Sequence, residues 1–160
     1  MKVLVTGATG FVGPAVANAI VDAGHHVRVL ERKPGSWQES GIRCQEAVQG
    51  DVTDLNSLRQ ATEGIDVVVH LVAIRQGKPE QFQRVMIGGT RNLIAASKER
   101  GVGRFVLMSA LGTTEQSKDL GLLLEDLSSQ GGLRPRSSNP ESAALGDQSE
   151  TGLPCRPEKR

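Results

Sequence analysis

The chain has 160 residues, 19 basic against 18 acidic side chains, a net charge of +1 and 38% hydrophobic residues. That length holds one domain with a packed core and little more, and the balanced charge gives no reason to expect a nucleic-acid or membrane-surface partner. Cys44 and Cys155 form no CxxC pair, which argues against a metal site and a disulfide framework and makes a reducing, cytoplasmic setting the default.

Residues 2–6 predict a first strand, apolar and continuous. The run stops at Gly7, too short for a signal peptide or a membrane span. No later stretch approaches the ~18 apolar residues of a spanning helix. Residues 15–23 carry Val16, Ala19, Ile20 and Ala23 at helical spacing, and Gly24 supplies the stop. A second strand is predicted over 26–30 and a third over 43–48, followed by Gly50 and Asp51. Asp54 reads as the N-cap of a helix over 55–63. Residues 66–74 (DVVVHLVAI) predict a fourth strand. A long helix over 79–100 follows, with Pro79 in its first turn and Gly101 at its end. Residues 104–109 predict a fifth strand.

Short apolar strands alternating with helices predict an α/β fold, a doubly wound parallel sheet. The pattern then stops. After Val106 the chain contains no Val, Ile, Phe or Trp. Residues 128–160 are rich in Ser, Gly, Pro and Arg, too poor in apolar side chains to offset ordering costs of about 1–2 kcal/mol per residue. The organisation expected is a doubly wound α/β domain of Rossmann type over 1–118, incomplete relative to the full fold. A low-order, disordered tail over 119–160 follows, with a short helix possible at 120–127.

The stretch TGATGFVG (6–13) sits between the first strand and first helix, with a second strand after it and an acidic residue at that strand's end. In this setting the glycines have separate tasks. Gly7 allows the tight turn, Gly10 lets the backbone approach a pyrophosphate, and Gly13 lets the helix pack closely. The N–H groups of the loop residues Thr9, Gly10, Phe11 and Val12, at the helix start, favour a phosphate. Glu31 ends the second strand, where a carboxylate accepts from an adenosine ribose and favours NAD. Arg32 and Lys33 follow, and could instead clasp the 2′-phosphate of NADP. Both cofactors stay open, with the carboxylate tipping the expectation toward NAD.

The ordered set TGATGFVG, Glu31, GDVTD (50–54), HLVAI (70–74), IGGTRNLIAAS (87–97) and RFVLMSALG (104–112) resembles the extended and atypical short-chain dehydrogenase/reductases over residues 1–115. This is the superfamily of the NAD-dependent epimerase/dehydratases. HLVAI, GGTRNLIAAS and RFVLMSA are most similar to its NmrA-like branch and to the NAD(P)H-binding accessory subunit of respiratory complex I. The resemblance implies that Asp51 and Val52 lie beside the adenine and that Leu71, Val72 and Ala73 border the ribose and phosphates. Ser109 would close the fifth strand near the nicotinamide. Each residue also has a plainer reading: a turn or cap for Asp51, sheet core for 71–73, a strand end for Ser109. His70 reads as a satisfied buried histidine, and His25 and His26 as surface residues of a turn. Arg75, Gln76 and Lys78 follow the fourth strand, where they could reach a ligand or simply be solvated.

The resembled enzymes use a tyrosine with a lysine four residues later, a serine and a helix asparagine. This chain contains no tyrosine. Met86 stands at the asparagine position and Ala110 at the serine position. No catalytic and no metal-binding residue is therefore assigned. One encoding of LLLED (122–126), read one base later, gives Tyr-Tyr-Ser-Lys-Thr, so truncation or a frameshift near residue 120 is a second account of the missing tyrosine. The readings that follow are a cofactor-binding module without tyrosine-based catalysis, the front part of an NAD(P)-dependent epimerase, dehydratase or reductase, and an unstable fragment with an exposed sheet edge. Substrate, oligomeric state and protein partner are not legible.

Overall fold

The computed structural model describes residues 1–74 and 76–109. Within them, strands β1 (Lys2–Thr6), β2 (His26–Glu31), β3 (Glu46–Gln49), β4 (Val67–His70) and β5 (Arg104–Leu107) form one sheet in the order β3-β2-β1-β4-β5, parallel throughout. Helices α1 (Gly13–Asp22), α2 (Ser36–Glu39), α3 (Leu55–Ala61), α4 (Pro79–Phe82) and α5 (Gly89–Glu99) connect them, with a π-helical segment, Gln83–Gly88, between α4 and α5. The chain runs outward from β1 to β3, then returns to β1's other side for β4. The strand order thus reverses between β1 and β4, which makes the carboxyl ends of these two strands the crevice of a doubly wound sheet.

Strand periodicity divides the core. Val3, Val5, Val27 and Val29 face α1 and α2 with Ala17 and Ile42, while Leu4, Leu30 and Val68 face α3 and α5 with Leu58, Leu93 and Ala96. Arg28 on β2 is a buried charge within this core. It is 8% exposed and donates two 2.8 Å hydrogen bonds, to the Ala61 carbonyl at the end of α3 and the Glu63 carbonyl just beyond it, and it pairs with Glu46 at 2.8 Å.

Several boundaries differ from the sequence reading. The buried stripe of α1 runs through Gly13 and Ala17, while Ala19 and Ala23 are exposed, because Gly13 starts the helix earlier and turns its inner face. β3 begins at Glu46, since Arg43 before it is held on α1 instead, its N–H donating to the Asn18 side chain and its guanidinium to Asp22. β4 stops at His70, which frees 71–74 as a loop. The long helix is interrupted by its π segment, and α2 is an element the sequence reading lacks. Asp54 caps α3 as expected, its side chain accepting from Asn56 N–H. Among the described residues β5 is a sheet edge, with Val106 on it and Met108 beyond it exposed. The expected short helix at 120–127, the tail over 119–160, Ala110 and the frameshift site lie outside the described residues, as does Arg75.

Candidate functional site

The loop after β1 is built by its glycines, each under a different constraint. Gly7 has φ +77°, and a Cβ on it would lie 2.8 Å from the Leu71 and Val72 backbone. It is needed both for the turn and for the close approach of the loop after β4. A Cβ on Gly13 would sit 2.0 Å from the Ala8 carbonyl oxygen, so this glycine lets α1 rest on the loop. Gly10 differs. Its N–H closes a turn on the Gly7 carbonyl at 3.0 Å, and a Cβ there would meet only that oxygen, at 3.1 Å. The space beyond it is open. Val12 is the N-cap of α1 and makes no side-chain cap, and among the described residues no acceptor meets the Phe11 and Val12 N–H groups.

A cleft of about 330 Å³ opens at this point, across the carboxyl ends of β1, β2 and β4. Gly7, Thr9, Gly10, Arg32, Asp51, Val52, Leu71, Val72 and Ala73 of the sequence-derived set all line it. Leu30, Gly50, Thr53, Ile74, Arg84 and Val85 complete the wall. Its size and mixed lining suit part of a dinucleotide. Phe11 and Val12 are exposed at the loop tip, outside the lining, and Gly13 is buried behind it.

The Asp51–Val52 end of the cleft is held from several sides. The Asp51 N–H donates to the Ser57 hydroxyl at 3.1 Å, and Asn92 donates to the Val52 carbonyl at 3.2 Å. A Cβ on Gly89 would lie 2.7 Å from Val52 Cγ2, so the first residue of α5 is small to let the helix reach this loop. Asp51 accepts from the Thr53 N–H and hydroxyl, both at 2.8 Å on Oδ1. Partial burial works against its charge, but these bonds and the cations Arg32 and Arg84 outweigh it and hold Asp51 below the ordinary carboxylate range. Oδ2 has no part in the Thr53 bonds. The loop after β4 is supported from the π segment, where Met86 Sδ accepts from Ile74 N–H at 3.4 Å.

Glu31 stands outside the cleft lining. Its carboxylate accepts from Gly35 N–H at 3.1 Å, the Ser36 hydroxyl at 3.0 Å and Trp37 N–H at 3.4 Å. Ser109 is exposed beyond β5, and Gln76 and Lys78 are exposed away from the lining. His25 and His26 are half-buried rather than fully at the surface, His26 opening β2. His70 is 1% exposed, with Thr6 on Nδ1 and Thr90 on Nε2, and burial lowers its pKa to about 4. Its ring is neutral and turned into the core. Of the lining residues that sequence reasoning missed, Arg84 and Val85 carry no motif; the π segment brings them to the cleft.

Comparison with known proteins gives a concordant result. The family model described as NAD(P)H-binding matches residues 7–134. The chain is 38% identical over 118 residues to a 3 beta-hydroxysteroid dehydrogenase/Delta 5→4-isomerase of Mycobacterium tuberculosis, covering 68% of this chain and 31% of that protein. It is 33% identical over 120 residues to a UDP-glucose 4-epimerase of Streptomyces lividans, covering 70% and 36%. Among solved structures, a short-chain dehydrogenase/reductase superfamily protein from Agrobacterium tumefaciens with bound NAD matches at 35% identity and TM-score 0.59, over 69% of this chain and 33% of that one. The chain thus spans about a third of the length of the curated relatives it matches. Among the described residues no helix is long and apolar enough to cross a membrane.

Proposed function

The chain belongs to the NAD(P)H-binding family and carries the NAD(P)-binding domain of a short-chain dehydrogenase/reductase- and epimerase-like protein, and from that premise we propose how its cleft is used. The pyrophosphate rests over Gly10 and takes the N–H groups of Phe11 and Val12 at the start of α1. The observation that carries this reading is the Gly10 corner itself: open space, an uncapped helix start and N–H donors without acceptors at one point. Asp51 Oδ2 accepts from the adenine amine, and Val52 and Val72 flank the ring. Leu71 and Ala73 border the ribose, and Ser109 marks the side toward which the nicotinamide extends.

The bound dinucleotide would supply or take a hydride. The chain's own part is to bind and orient it. No tyrosine is present to move the accompanying proton, and His70 does not replace it, because both ring nitrogens are engaged inside the core. We read the domain as a binding module that reports cofactor state or stabilises a larger assembly, as its resemblance to the NmrA-like and complex I accessory branch implies. A cytoplasmic setting fits that role.

The relatives support a second reading. Their names are those of a dehydrogenase and an epimerase, and the chain matches about a third of each, so the same domain could serve as the cofactor-binding part of a longer enzyme. Titrating the full chain with NADH and NADPH by nicotinamide fluorescence tests the shared claim. Saturable binding that Gly10→Val abolishes while the melting transition persists is expected. A cooperative fold that binds neither cofactor at millimolar concentration would refute both readings.

A further inference from the structure

Resting on the dinucleotide reading above, we infer that Thr90 is a positioning residue for the cleft: its buried hydroxyl, lodged between His70 and Met86, holds residues 83–88 in π geometry and so keeps Arg84 and Val85 on the cleft wall. A π turn inside a helix is rare and marks functional segments. Here the Gly89 N–H reaches the Arg84 carbonyl, five residues back where an α-helix reaches four. Thr90 is 4% exposed, and its hydroxyl donates to the Met86 carbonyl in the middle of the segment. A threonine hydroxyl bonded to the carbonyl four residues back competes with its own N–H for that acceptor and weakens the α turn there. The wider turn is favoured in its place.

The restraint comes from outside the helix. His70 on β4 meets the Thr90 hydroxyl through Nε2 at 3.1 Å, so the sheet fixes the rotamer that reaches Met86. What the π geometry decides is register. A helix turns about 100° per residue. Taking the extra residue out of the turn would therefore swing the residues before it relative to α5, which Leu93, Ile94 and Ala96 anchor in the core. Arg84 and Val85 would leave the wall they share with Asp51 and Val72. Val85 would also leave the core cluster it packs against, and Met86 Sδ would lose the Ile74 N–H that it accepts from. Gly88 and Gly89 stand at the joint, where small residues let a helix axis change direction. The joint does not hold itself; the Thr90 hydroxyl holds it.

The full chain is titrated with NADH and with NADPH by nicotinamide fluorescence, beside thermal melts. Thr90→Val removes the hydroxyl at nearly constant shape and should weaken both cofactors about ten-fold. Thr90→Ser keeps the hydroxyl and should bind within about two-fold of the wild type. Arg84→Ala should cost about three-fold in the wild type and nothing further beside Thr90→Val, because the side chain has already left the wall. If Thr90→Val loses its cooperative melt, the double variant His70→Leu/Thr90→Val, which removes both polar partners together, takes its place with the same expectations. Loss of the fold in both would make Thr90 a folding residue and overturn the inference. It is equally overturned if the variant without the hydroxyl binds like the wild type, if Thr90→Ser is as weak as Thr90→Val, or if Arg84→Ala keeps its full effect beside Thr90→Val. A wild type that melts cooperatively and binds neither cofactor would overturn the dinucleotide reading itself, a result distinct from normal binding that ignores Thr90.

Discussion

The Thr6 hydroxyl lies 2.6 Å from Nδ1 of His70, and the same ring meets the Thr90 hydroxyl through Nε2 at 3.1 Å. Thr90 gives its own proton to the Met86 carbonyl. Thr90 must therefore accept from His70, which places the ring hydrogen on Nε2 and leaves Nδ1 to accept from Thr6. One directional chain runs Thr6, His70, Thr90, Met86, tying β1 and β4 to the π segment that supports the cleft.

That chain makes stability depend on pH. Burial holds the folded His70 pKa at about 4, against roughly 6.5 in an unfolded chain. Between those values the unfolded state binds the extra proton, so the contribution is full above about pH 6.5 and is lost as pH falls toward 4. The loss approaches about 1.4 kcal/mol per pH unit and about 3 kcal/mol in all. Asp51, whose pKa is lowered, acts below this window. Urea unfolding at pH 8, 6 and 5 measures the slope. His70→Gln should flatten it while costing about 1–2 kcal/mol at pH 8 for the Thr6 hydroxyl left unmatched. An unchanged slope would mean that another group carries the pH dependence.

The glycines of the loop should separate fold from ligand. Gly13→Ala puts a methyl carbon 2.0 Å from a backbone oxygen, so α1 must move, at a cost of about 3 kcal/mol or more. Gly10→Val meets one oxygen at 3.1 Å and otherwise projects into open space, and should cost about 1 kcal/mol or less. Thermal melts of the two variants, run beside NADPH titrations, check this. Equal destabilisation by both would show that Gly10 is a packing glycine like Gly13.

These residues also show how far the sequence could be read. The parallel order followed from continuous apolar strands such as Val67–His70, because a strand buried on both faces leaves that signature. The glycine spacing was enough to assign Gly7, Gly10 and Gly13 different work. What escaped was set by tertiary contact. Position alone made Glu31 a candidate ribose ligand and said nothing of the Gly35–Trp37 loop that also folds back onto its carboxylate. Arg84 carries no motif in the sequence, and it is the π segment that places it at the cleft. The turn that begins α2 needs Gly35 at φ +87°, and four helical residues are too few for a periodic pattern.

Asp51 should read the adenine amine. Asp51→Ala is expected to weaken NADPH and NADH alike by about ten-fold. The hypoxanthine analogue of the dinucleotide carries a carbonyl in place of the amine, and should bind weakly to the wild type and equally weakly to the variant. A wild type that binds both dinucleotides equally would remove Asp51 from the adenine site and leave it as the acceptor of Thr53 alone.

Arg28 should matter to the fold far more than its partner Glu46. The guanidinium is buried and satisfies the carbonyls of Ala61 and Glu63, the free end of α3. Arg28→Ala strands those acceptors and opens a void between β2 and α3, which should cost about 3 kcal/mol. The Glu46 side chain is 38% exposed. Glu46→Gln removes a charge that solvent already screens and should cost less than about 1 kcal/mol. If unfolding shows the reverse order, the ion pair and not the cap is what Arg28 contributes. The distinction bears on function, because α3 begins at the Asp54 cap three residues after Asp51. A frayed α3 would loosen Ser57 and the adenine loop, so Arg28→Ala should also weaken the dinucleotide, by less than Asp51→Ala does, with NADPH and NADH affected to the same extent.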